Sequence, residues 1–158
     1  MRLNPYDDVM VQPSTVSSVA IQSLAGSSAA DGDALDTGQL FDAESIMIHV
    51  RTEIASGSPS AASIAWALQE SADGSTNWAA ALDNTGTAIG ATLNTKTVAQ
   101  DSYARVEGIM LNRKRYLRIV LTPAYTSGTS PATLTYAEFI GTPGNGQPLP
   151  VRSAVSNT

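Results

Sequence analysis

The feature that most limits what this chain can become is a two-residue rhythm that recurs between turn signals. In 45–53, Ile46, Ile48 and Val50 alternate with Met47, His49 and Arg51. A period of two places successive side chains on opposite faces of an extended strand. The run 60–71 sets Ile64, Trp66 and Leu68 opposite Ala65, Ala67 and Gln69. The run 103–110 puts Tyr103, Arg105, Glu107 and Ile109 on one face, and Ala104, Val106, Gly108 and Met110 on the other. In 115–122, Tyr116, Arg118 and Val120 face away from Leu117, Ile119 and Leu121. In 132–142, Leu134, Tyr136, Glu138 and Ile140 alternate with Thr133, Thr135, Ala137, Phe139 and Gly141. The segment 13–24 admits a helix capped by Ser14 or Thr15, but Thr15, Val16, Val19 and Ile21 are β-branched and favour a strand.

Turn residues separate these runs. They include Asp31-Gly32, Ser56-Gly57-Ser58-Pro59, Asp73-Gly74, Asn84-Thr85-Gly86, Asn112-Arg113-Lys114 and Ser127-Gly128. Asp73-Gly74 suits a hairpin that needs a positive φ at Gly74. Helical crossovers, which a parallel α/β sheet would need, are missing from the pattern. The expected fold is all-β, an antiparallel β-sandwich or barrel. It divides into an N-terminal arm (1–13), a sandwich domain (14–142) and a C-terminal arm (143–158). The last arm holds Pro143, Pro148 and Pro150, which no regular strand or helix accommodates. An extended Pro-containing arm loses little entropy on docking, so these prolines are candidate partner contacts.

Composition then removes whole classes of chemistry. The chain has 158 residues and no cysteine, so no disulfide framework and no Cys-based metal site is expected. One histidine leaves a single possible imidazole base. The net charge of −5 argues against direct nucleic-acid binding. No apolar run approaches the length of a membrane span. Asp7 and Asp8, with no apolar stretch near them, do not read as a secretory signal. Ala, Ser and Thr together exceed a third of the residues, which suits close sheet packing with little side-chain entropy to lose.

Candidate sites are sparse. His49 sits in the phase opposite Ile46, Ile48 and Val50 and reads as a surface or edge residue, since nothing local supplies an orienting acid or a nucleophile. Asp31, Asp33 and Asp36 are the densest acids, but they lack Ca²⁺-loop spacing and read as a solvated loop. Glu70, Asp73, Glu107 and Glu138 are glycosidase carboxyls by type only. Gly141-Thr-Pro-Gly-Asn-Gly cannot open the helix that a phosphate loop requires. No catalytic residue, metal or cofactor is therefore expected. The most unusual charge feature is Arg113, Lys114, Arg115 and Arg118, four of the nine basic residues within six positions. It reads as a solvated turn, as a contact for an acidic partner, or, against the net charge, as a nucleic-acid contact. Trp66 shares the apolar phase of its strand. Trp78, beyond the Asp73-Gly74 turn, reads as core or as an exposed sugar-stacking platform.

Three stretches carry a resemblance. Leu68-Gln-Glu-Ser-Ala-Asp-Gly-Ser-Thr-Asn-Trp78 is similar to a hairpin common in virion structural proteins of tailed bacteriophages. Arg115-Tyr-Leu-Arg-Ile-Val-Leu-Thr-Pro123, then a Gly/Ser/Thr turn and a last strand ending in Gly141-Thr-Pro143, resembles the closing strands of short phage proteins encoded with head genes. Asp36-Thr-Gly-Gln-Leu-Phe-Asp-Ala-Glu-Ser-Ile-Met-Ile-His-Val50 is a weaker match of the same kind. The matches span about 31–80 and 113–143 in the family's order. The resemblance implies a jelly-roll-like β-sandwich acting as a capsid decoration, or cement, protein. It implies a protein made in the bacterial host cytoplasm and placed on the capsid surface. It would bind across major capsid protein subunits, as a homo-oligomer, a trimer or dimer on a lattice axis. The alternative is a receptor- or glycan-binding module of the tail, neck or fibre.

Overall fold

The computed structural model describes residues 14–39, 45–107 and 113–141. Ten strands and one short 3₁₀ turn make up the described fold. The strands are β1 (Ser14–Ala25), β2 (Ala30–Asp31), β3 (Leu35–Asp36), β4 (Ser45–Thr52), β5 (Ala61–Ser71), β6 (Ala79–Ala80), β7 (Gly90–Asn94), β8 (Gln100–Glu107), β9 (Tyr116–Thr126) and β10 (Ala132–Gly141), with the turn over Thr37–Gln39. They form two antiparallel sheets. Sheet A runs β1-β10-β4-β8. In sheet B, β9 and β5 pair along their full lengths; β2 and β3 add to the outer side of β9, and β6 and β7 to the outer side of β5. The expected antiparallel β-sandwich is the observed architecture.

The alternation explains the packing. Ile46, Ile48 and Val50 of β4, Val106 of β8, and Ala137 and Phe139 of β10 turn inward from sheet A. Ile64, Trp66 and Leu68 of β5, Leu93 of β7, and Leu117, Ile119 and Leu121 of β9 meet them from sheet B. Burying each large apolar side chain contributes roughly 1.5–3 kcal/mol. Polar residues also enter the core, several of them in pairs. Thr135 donates to Thr52 at 3.2 Å, and the Trp66 indole N–H donates to the Ser102 hydroxyl at 3.1 Å. At one edge of the sandwich, Tyr125 of β9 donates to the Leu24 carbonyl at 2.8 Å and lies 2.9 Å from the Thr133 hydroxyl, tying sheet B to β1 and β10.

Segment 13–24, where a helix was the weaker option, is strand β1 from Ser14. The Asp73-Gly74 turn joins β5 to β6, and Gly74 has φ +74°. Its Cα lies under the Tyr116 ring, where an added Cβ would approach to 2.9 Å. The Asp73 carboxylate organises the loop. It accepts from the backbone N–H of Ser75 and Thr76 and from the hydroxyls of Thr76 and Ser71. The Thr76 hydroxyl and the two backbone donors hold its pKa well below the usual carboxylate range.

Candidate functional site

The basic cluster meets acids of its own chain. Because β2 and β3 run antiparallel to β9, Asp31 comes opposite Val120 and Asp36 opposite Tyr116. Arg115 then pairs with Asp36 through two bonds of 3.0 Å, and Arg118 donates to Asp31 at 3.0 Å. The bonds from Arg115 lower the Asp36 pKa against the opposing effect of its burial. Thr37 locks the same corner, donating to the Arg115 carbonyl from its backbone N–H and its hydroxyl. The two charge features of the sequence are thus one structure. The acids of 31–36 and the bases of 115–118 form a ladder on the flank of sheet B. Lys114 is exposed beside it.

Arg118 does more than pair with Asp31. It donates to Gln69 at 2.9 Å, and its guanidinium lies 4.4 Å from the Trp78 ring centre. Trp78 is half-buried, and this cation covers one of its faces. Arg113 sits apart, on the approach to β9. The Glu70 carboxylate lies 3.9 Å away. Pro143, Pro148 and Pro150 lie outside the described residues.

The outer face of sheet A holds a site that sequence reasoning missed. His49 is central on β4, directly opposite Tyr103 of β8 and Glu138 of β10. Its Nε2 lies 2.8 Å from Asp101 and its Nδ1 2.9 Å from Glu138. The imidazole stacks on Tyr103, with ring centres 4.5 Å apart and planes 3° from parallel, and meets the edge of Tyr136 at 5.5 Å. Far from being an open surface histidine, it is buried under this cover. Burial disfavours its charged form, but the two carboxylates outweigh that and raise its pKa. Only the imidazolium can donate at both nitrogens. His49 is therefore a cationic bridge across three strands, with both nitrogens engaged.

Around this bridge the outward phase of sheet A mixes charged side chains such as Arg51 and Arg105 with exposed apolar ones. Ile21 is 72% exposed, Tyr103 61%, Leu134 51% and Met47 42%. Ile21, Leu134 and Tyr136 line a shallow groove of about 430 Å³ that Arg51 and Glu53 border. Inward, the same β10 strand buries Thr133 and Thr135.

A second concavity opens where the sheet edges part, between β8 of sheet A and β7 of sheet B. This edge cleft has a volume of about 440 Å³. Trp66 and Val106 lie at its floor; Asp83, Asn84, Tyr103 and Arg113 are among the polar residues that line it. Asp83 is fixed by the hydroxyl of Thr85 and the backbone N–H groups of Thr85 and Thr87. These bonds, with a lesser contribution from the Arg113 charge, keep it ionised.

No protein-family model matches the sequence, and no curated protein does. Among solved structures, the chain is similar to the C-terminal family 22 carbohydrate-binding module of Clostridium thermocellum Xyn10B. Identity is 11%, the TM-score is 0.44, and the match covers 88% of this chain and 91% of that one. It is also similar to a xylan-binding domain from family 22, at 12% identity and a TM-score of 0.43, over 91% of this chain and 94% of that one. Likeness at this level carries nothing about a site or its ligand.

Proposed function

We propose that this chain is a non-enzymatic docking module that binds a protein surface through the outer face of sheet A. Its setting, on this reading, is the head of a tailed bacteriophage, where it decorates the capsid across neighbouring major capsid protein subunits as a dimer or trimer. The virion setting rests on the ordered motifs between 31 and 143. The choice of face rests on one observation: Ile21, Met47, Tyr103 and Leu134 are all exposed on the outward phase of one sheet, and Ile21 and Leu134 line one groove. Clustered exposed apolar side chains mark interaction surfaces, whereas single ones need no explanation. The face is also rigid, because His49, Asp101 and Glu138 cross-link β8, β4 and β10 beneath it. A rigid face has less to lose on docking. A cement protein acts by mass action, favouring the assembled shell to which it binds.

The test is binding of purified protein to heads that lack it. Ile21→Asp with Leu134→Asp should weaken occupancy strongly, since each places a charge in the contact. Reversing Lys114, the exposed member of the basic cluster, should have little effect. Undiminished binding of the folded double variant would overturn the choice of face. The second reading is a glycan-binding module. The observation that favours it is the edge cleft rather than Trp78, whose face Arg118 already occupies.

A further inference from the structure

Arg113 is a buried charged group whose hydrogen bonding is incomplete. Its side chain is only 8% exposed, and its Nε is buried with no hydrogen-bond partner. The Glu70 carboxylate is 3.9 Å from its Nη1, too far for a hydrogen bond, and Glu70 Oε2 is itself buried without a partner. Buried donors and acceptors are almost always matched, and each exception asks for an explanation. A guanidinium has five N–H donors and no acceptor, so only an incoming acceptor can complete it.

We propose that the edge cleft is a binding site for a neutral, hydroxyl-rich ligand, a short saccharide segment, held by Arg113 and Asn84 beside Tyr103. The cleft adjoins the docking face, and Tyr103 borders both. The cleft's volume of about 440 Å³ falls in the usual range for small-ligand sites. Buried Trp66 and Val106 line it together with polar Asp83, Asn84 and Arg113. Charge at the cleft is mixed: ionised Asp83 lines it with Arg105 and Arg113, and Glu70 lies 3.9 Å from Arg113. A ligand with both donors and acceptors and no net charge matches such a lining. A hydroxyl brings an acceptor without charge and can also donate to a carboxylate. Tyr103, which borders the cleft, is already fixed by its stack on His49. Such preorganisation removes part of the cost of binding.

The two tryptophans make the test selective. Trp66 lies at the cleft floor, while Trp78 lies under Arg118 on sheet B. Hexasaccharides of xylose, glucose, mannose and N-acetylglucosamine would be titrated into the labelled protein, with both indole N–H resonances followed by NMR. At least one should shift the Trp66 indole saturably and leave Trp78 unmoved. Arg113→Met should weaken that binding by about tenfold, the loss of one or more hydrogen bonds. Asn84→Ala, on an exposed loop, provides a second variant if Arg113→Met does not fold. Glucuronic acid and a glutamate-rich peptide serve as anionic probes and should bind worse than the neutral sugars. No response from Trp66 to any saccharide at millimolar concentration would overturn the proposal. So would tighter binding of the anionic probes, or binding that both variants leave intact.

Discussion

His49 is the only imidazole in the chain, so one pair of ring resonances reports its state directly. Its folded pKa is raised above the ordinary value of about 6.5. A raised pKa means that the folded protein binds the proton more tightly than the unfolded chain does. The stability gained is complete below about pH 6.5 and is lost as pH rises through the folded pKa. Urea midpoints measured across that window should fall with pH, and His49→Gln should flatten the profile. An NMR-titrated pKa below that of a free histidine would contradict the geometry. Trp66 makes the complementary case in the core. It is buried with its indole N–H bonded to Ser102, so Trp66→Ala should cost about 3–5 kcal/mol in denaturant unfolding. A variant of undiminished stability would mean that Trp66 does not pack where the structure puts it.

Between elements, the ladder of Asp31, Asp36, Arg115 and Arg118 fixes two very short strands to β9. Strands of two residues have little hydrogen bonding of their own. Asp36→Arg alone should lower the melting temperature, and Asp36→Arg with Arg115→Asp should recover part of it. No recovery would show that the pair matters through its particular geometry and not its charge. This corner also shows what sequence could reveal. The long strands were legible because each alternates over eight or more residues. Strands β2, β3 and β6 hold two residues each, and β7 reads Gly-Ala-Thr-Leu-Asn, so no period can register in them. The acids and bases were visible as separate clusters, but they meet across 79 and 87 positions. The acids of His49 are likewise 52 and 89 positions away. The phase of β10 runs against hydrophobicity, since Leu134 faces out and Thr133 and Thr135 face in. Its burial follows from the register of β10 between β1 and β4, which no local pattern encodes. The edge cleft depends on Arg113 and β7 arriving at β8 from distant parts of the chain, so its residues gave no joint signal.

At the scale of the molecule, three surfaces have separate assignments. The flank of sheet B is closed by its own ion pairs. The edge between β7 and β8 holds the cleft. The outer face of sheet A carries exposed apolar side chains around the His49 bridge, and on the proposed reading it meets the capsid. The central claim is that contact. Cryo-electron microscopy of phage particles carrying this chain, at a resolution that distinguishes its faces, measures it most directly. The account predicts density on the head, with Ile21, Met47, Tyr103 and Leu134 within contact distance of major capsid protein subunits. Density confined to the tail or baseplate, or head-bound copies with that face turned to solvent, would contradict it.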